Sequence, residues 1–179
     1  MVRYLFKFTK INQMKYISHL DLMNLFQRAF RRAEIKIAYS QGFSPHPKFS
    51  IAHPLSLGIA SVAEYMEAEL INEIPIDIIK NKLNNTLPTD VEILECRKIE
   101  NNKKSLAALV EYGEYDILFR LADNIDISMM EKIIADFQSL EEIIAIKKQI
   151  KKQTEKRINI KPFIYSVDVL SFNDGQCNL

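Results

Sequence analysis

The chain has 179 residues, 47% hydrophobic and 26% charged, with a net charge of +1. That is enough for one domain with a good core or two small ones in an ordinary soluble globular protein. Cys96 and Cys177 have no CxxC partner, which excludes a disulfide framework and a Cys-built zinc site.

No apolar run approaches the roughly 18 residues of a membrane span. The alternating start MVRYLFKFTK lacks the apolar run and cleavage site of a signal peptide, so the expected address is the cytoplasm, with no membrane partner. The near-neutral total hides a block pattern: net +7 over residues 1–60, −5 over 61–100, −5 over 101–146 and +4 over 147–179. Two basic ends bracket an acidic middle, which places positive potential on one face if the ends meet.

Residues 2–9 alternate, with Tyr4, Phe6 and Phe8 on one face and Arg3, Leu5 and Lys7 on the other, and predict a strand. Residues 10–15 read as a polar connector. At Ser18 the period changes. Ser18 and Asp21 have the spacing that satisfies orphan amides and sets an acid at a helix start. Leu22, Phe26, Ala29, Phe30 and Ala33 then recur at three and four, predicting a helix over 18–34. Residues 35–39 read as a short strand and 40–47 as a loop by its Gly, Ser and two prolines. The stretch around Phe49 and Ile51 is a strand stopped by Pro54. Residues 63–71 form a strand with one wet face. Residues 74–87 form a helix with Ile76, Ile79, Lys80 and Leu83 at helical spacing and Pro75 at N1, and 91–99 a fourth strand. This β-α-β-β-α-β order is the ferredoxin-like split βαβ arrangement.

After a polar linker at 101–105 and a short helix or turn to Val110, residues 112–121 read as a strand. Residues 128–140 read as a helix with Met129, Ile133, Ile134 and Phe137 inward, and 143–150 as another strand. Beyond a Lys-rich turn, 158–170 alternates as a long strand, and Asn173-Asp174-Gly175 is a hairpin turn. The expected architecture is α+β: a ferredoxin-like βαββαβ domain over 1–100 and a second, incomplete ferredoxin-like half over 101–179. Residues 176–179 are too few for the returning strand, so the native polypeptide is expected to extend further or to have been cut here.

Three constellations carry candidate chemistry. Arg28, Arg31 and Arg32, with Lys36 beyond, lie opposite the Phe26/Phe30 stripe, where like charges repel unless an anion is bound. They read either as a phosphate-binding face or as a solvated helix end whose cations complement the macrodipole. The loop Tyr39-Ser40-Gln41-Gly42-Phe43-Ser44-Pro45-His46-Pro47-Lys48 combines a glycine that admits close backbone approach with a histidine held between two prolines. It reads as a ligand-contacting or acid/base loop, against a rigid structural loop. His19, Asp21, His46 and His53 could suit a divalent metal, but they lack metal-ligand spacing and Asp21 has a capping role, so no metal is expected. No GxGxxG, Walker or GxSxG pattern is present, which disfavours a self-sufficient enzyme.

The segments KYISHLDL (15–22), RAFRRA (28–33) and AYSQGFSPHPK (38–48) resemble the radical SAM-linked proteins, a bacterial family of unknown function encoded beside, or fused to, radical SAM enzymes. The PLSLG segment (54–58), Glu64-Tyr65 and NIKPF (159–163) also fit. Members run longer than this chain, in keeping with an unfinished second half. The resemblance implies a radical SAM partner. Two cysteines cannot supply a Cys-ligated cluster of that chemistry, so no cofactor is expected on this chain, which would be an accessory that binds or presents substrate. Members lie near genes for ribosome components and RNA processing, which makes RNA the implied substrate.

The expected function is therefore a substrate-binding, RNA-binding accessory. Arg28, Arg31, Arg32 and Lys48 would hold phosphate, and Tyr39 and Phe43 would offer stacking surfaces, with Gln41, Gly42, Ser44 and His46 completing the loop. The first alternative is a metal-independent enzyme. The order of elements also looks like that of the repeat-processing endoribonucleases of CRISPR systems, with His19 or His46 as general base, although their late glycine-rich loop is not present. The second alternative is a protein-binding adaptor.

Overall fold

The structure, a computed structural model, describes residues 1–100, 104–121, 125–149, 154–173 and 176–179. They form two compact units, Met1–Tyr112 and Gly113–Leu179, both mixing helix with antiparallel sheet, so the fold is α+β. The first unit runs β1 (Val2–Lys10), α1 (His19–Arg32), β2 (Phe49–Ile51), β3 (Ser61–Leu70), α2 (Ile76–Asn84) and β4 (Ile93–Ile99). Its strands join in the order β2-β3-β1-β4, all antiparallel. The connection through α1 skips over β3 to reach β2, which is the split arrangement the order of elements implies.

Alternation in β1 sets the layers. Tyr4, Phe6 and Phe8 are buried against the helices with Leu22, Phe26, Ala29 and Phe30 of α1 and Ile79 and Leu83 of α2. Phe8 meets Phe26 edge-on at 4.8 Å, and Phe6 meets Phe30 at 5.9 Å, the geometry in which a ring edge meets a ring face. Asp21 N–H donates to Ser18 Oγ at 3.1 Å, so Ser18 caps α1 as its spacing predicts. Glu34, at φ 57°, turns the chain out of the helix. Asn84 mimics a peptide group against β4: its Nδ2 donates to Ile93 O at 3.1 Å and its Oδ1 accepts from Ile93 N at 2.8 Å. Pro75 occupies the N-cap of α2 and not N1.

Two expectations about connections change. Segment 35–39 makes only isolated bridges, Ile37 to Leu70 and Tyr39 to Pro47. Residues 10–15 are not simply a polar connector. Lys10 closes β1 and is 1% exposed, and Asn12–Tyr16 is a 3-10 turn anchored by Asp90, which accepts from Asn12 Nδ2 and Gln13 N–H.

The second unit contains β5 (Leu118–Arg120), α3 (Ile127–Ser139), β6 (Ile144–Gln149), β7 (Thr154–Asn159), β8 (Ser171–Asn173) and β9 (Gln176–Asn178). The β-α-β-β order is present, but β6 and β7 form their own two-stranded sheet while β5, β9 and β8 form another. Met130, Ile134 and Cys177 are its buried centre, with Phe119, Val167, Val169 and Phe172 against them.

Four readings are corrected here. Residues 176–178, expected to be too few for a returning strand, form β9, which pairs with both β5 and β8. In α3, Ile134 and Phe137 face inward as expected, but Met130 takes the inward place expected of Met129, and Met129 and Ile133 are half exposed. Strand 112–121 shortens to three residues. The long strand 158–170 ends at Asn159. There the side-chain oxygen accepts from Lys161 N–H at 3.0 Å, a local bond that competes with a sheet ladder, and Pro162 enters a 3-10 turn. The expected turn at 173–175, the Lys-rich turn and the 101–103 part of the linker lie outside the described residues, although β8 and β9 pair across the first.

Candidate nucleic-acid interface

Residues 39–47 form a small closed hairpin at the sheet edge. Its base is pinned by backbone bonds: Lys48 N–H donates to Ala38 O at 2.7 Å, and Ser40 N–H to His46 O at 2.8 Å. His46 N–H returns to Ser40 Oγ at 2.9 Å. Ala38 N–H and Lys48 O both bond Glu69 of β3, which ties the hairpin to the sheet. Gly42 takes φ +124°, a conformation that L side chains rarely adopt. Gln41, Gly42, Ser44 and His46 are exposed, Tyr39 is 54% exposed, and Phe43 stands fully in solvent at 113%. The imidazole of His46 has no hydrogen-bond partner among the described residues.

The expected cations divide into two groups. Arg32 donates to Thr86 O at 2.6 Å, just past the end of α2, and Lys48 pairs with Glu69 at 2.9 Å. Both hold the fold together. Arg28 and Arg31 are exposed and make no hydrogen bond or ion pair among the described residues. At 100° per residue, Arg28 and Arg31 lie on the outer side of α1, opposite its buried stripe of Leu22, Phe26, Ala29 and Phe30.

His19 and His46 are not brought together. The hairpin is tied to Glu69, which pairs with Arg3 at the start of β1. His19 opens α1 two residues after Ile17, whose carbonyl accepts from Lys10 Nζ at 3.2 Å at the other end of β1. Seven residues of strand, about 23 Å, separate the two ends, so His19 and His46 do not share a site. No group of three His, Cys, Asp or Glu among the described residues is placed to hold a metal ion. No helix among the described residues is long and apolar enough to cross a membrane.

Sequence reasoning missed a polar cluster under the start of α1. Lys10 and Glu64 both face the helices, Glu64 directly opposite Phe8. Burial raises the Glu64 carboxyl above its ordinary value, and the Ser61 hydroxyl, His53 and Lys10 hold that rise back. The signal was present: Lys10 continues the parity of Tyr4, Phe6 and Phe8. On β4, burial pushes the Cys96 thiol up to about 12.

Against known proteins, the model of a family described as "Uncharacterized protein conserved in bacteria (DUF2344)" matches residues 3–179. No curated protein matches the chain.

Proposed function

The chain belongs to that bacterial family, and from this premise we propose that it is an accessory that binds single-stranded RNA and presents it to a radical SAM enzyme. The observation that carries the RNA reading is Phe43, fully exposed at the tip of a hairpin closed by backbone bonds. A ring so held offers a π-face without a large ordering cost, and stacking one base on such a ring contributes about 1–3 kcal/mol. Tyr39 supplies a second ring near the base of the loop, and Arg28 and Arg31 supply cations with no internal partner among the described residues. The radical SAM partner comes from the resemblance of the 15–22, 28–33 and 38–48 segments. Its Cys-ligated cluster would belong to that partner, since this chain has two cysteines.

The test is a fluorescence anisotropy titration of single-stranded tRNA and rRNA fragments across a salt series. Affinity should fall with salt at a slope of about −0.7 per phosphate contacted, and Arg28→Glu with Arg31→Glu should weaken binding and flatten that slope. Absence of salt-sensitive affinity tighter than about 10 μM removes the reading. Co-purification of the radical SAM enzyme tests the second half.

A protein-binding adaptor is favoured by a separate observation: Tyr16, Leu20, Leu57 and Val62, around the start of α1, are exposed. Recovery of the radical SAM partner from RNase-treated extract, together with no RNA affinity, would prefer it. For the endoribonuclease alternative, His19 and His46 would have to act singly. RNA cleavage abolished by His19→Ala or His46→Ala would support it.

A further inference from the structure

The face of the first sheet turned away from α1 and α2 carries a cavity of about 450 Å³, lined by Arg3, Leu5, Glu67, Arg97, Ile99, Glu100, Leu106 and Leu109. The register explains it. Leu5 sits between Arg97 of β4 and Glu67 of β3, and Ile99 lies opposite Arg3. The 3-10 turn Leu106–Leu109 crosses above, with Leu106 packed with Leu5, Ala52 and Ile99. The result is a slot with an apolar floor and roof and charged walls, in the size range of small-molecule sites.

The charges of the slot are not all spent. Arg3 donates to Glu67, which also accepts from Ser50 Oγ at 3.2 Å. In the neighbouring cleft lined by Leu5, Lys7, Tyr65, Glu95 and Arg97, Lys7 pairs with Glu95 at 3.5 Å. Arg97 and Glu100 remain, of opposite sign, both lining the cavity, and neither has a hydrogen bond or ion pair among the described residues. A guanidinium fork suits a carboxylate, and a carboxylate suits an ammonium.

We propose that this cavity binds a small zwitterion with an apolar side chain, its carboxylate on Arg97, its ammonium toward Glu100, and its apolar part between Leu5, Ile99 and Leu106. A free apolar amino acid and a short apolar peptide share that chemistry. The site is on the opposite face from α1, and the proposal does not depend on RNA binding.

Isothermal titration of the full chain with L-leucine and with leucyl-leucine separates the two sources, the tighter ligand identifying the source. At least one should bind saturably. Arg97→Met and Glu100→Gln should each weaken it about tenfold or more. Both residues are exposed, so these variants should fold, as circular dichroism would check. The singly charged analogues 4-methylpentanoate and isoamylamine should bind at least as much more weakly. Absence of saturable binding at millimolar ligand overturns the proposal. So does binding that survives both substitutions, or analogues that bind as tightly as the zwitterion.

Discussion

Replacing Phe43 by Ala separates binding from folding, because the ring stands outside the packed core. The ring is fully exposed, and the bonds that close the hairpin are backbone bonds and the Ser40 hydroxyl. The substitution therefore removes no buried apolar area, and its effect on stability should stay within about 0.5 kcal/mol. If the ring stacks on a base, the loss in binding is about 1–3 kcal/mol, roughly 5- to 150-fold in Kd. Anisotropy titration with a short single-stranded RNA gives the second quantity, and the urea midpoint of the same preparation gives the first. Unchanged affinity refutes the stacking argument. A fall in the urea midpoint that accounts for the lost affinity refutes the claim that the ring has no part in the fold.

Three further outcomes follow from the core. Phe26→Ala removes a ring that is fully buried and edge-on to Phe8; it should cost about 3–5 kcal/mol, read as a lower urea midpoint, and a loss under about 1 kcal/mol would mean that the site is not packed as described. Burial raises the Glu64 carboxyl above its ordinary 4.5, so the stability it contributes is present below the unfolded value and lost as pH rises through the folded one. Glu64→Gln should match the wild type at acid pH and overtake it above that window; a difference constant with pH in urea unfolding contradicts the assignment. The Cys96 thiol, pushed up to about 12, holds little thiolate at pH 8, so it should react with a thiol reagent far more slowly in the native than in the urea-unfolded protein; equal rates would place it at the surface.

The elements of the first unit were legible because each has a period that one partner layer can satisfy. Tyr4, Phe6 and Phe8 alternate, and Leu22, Phe26, Ala29 and Phe30 recur at three and four, with Ser18 capping the start. The hairpin loop was legible from Gly42 and its prolines. Legibility failed where the pattern was degenerate. In α3, Met129 and Met130 are adjacent, as are Ile133 and Ile134, so either face looks apolar, and only packing against Phe119 and Val167 chooses one. In 158–170, alternation suggested a strand, but the Asn159 side chain and Pro162 end it.

Chain chemistry was enough to set the order of strands and helices, the cap of α1 and the presence of an arginine-rich helix, since these depend on neighbours a few residues apart. Which of those cations are available to a ligand was decided in three dimensions. Arg32 meets Thr86, and Lys48 meets Glu69, while Arg28 and Arg31 face solvent. His19 and His46, 27 positions apart in the chain, come to rest at opposite ends of one sheet. The slot beside Arg97 draws its walls from three strands and a turn, so no local period announces it. A side chain's free energy depends on the groups within a few ångströms of it, and for charged residues those groups come from distant parts of the chain.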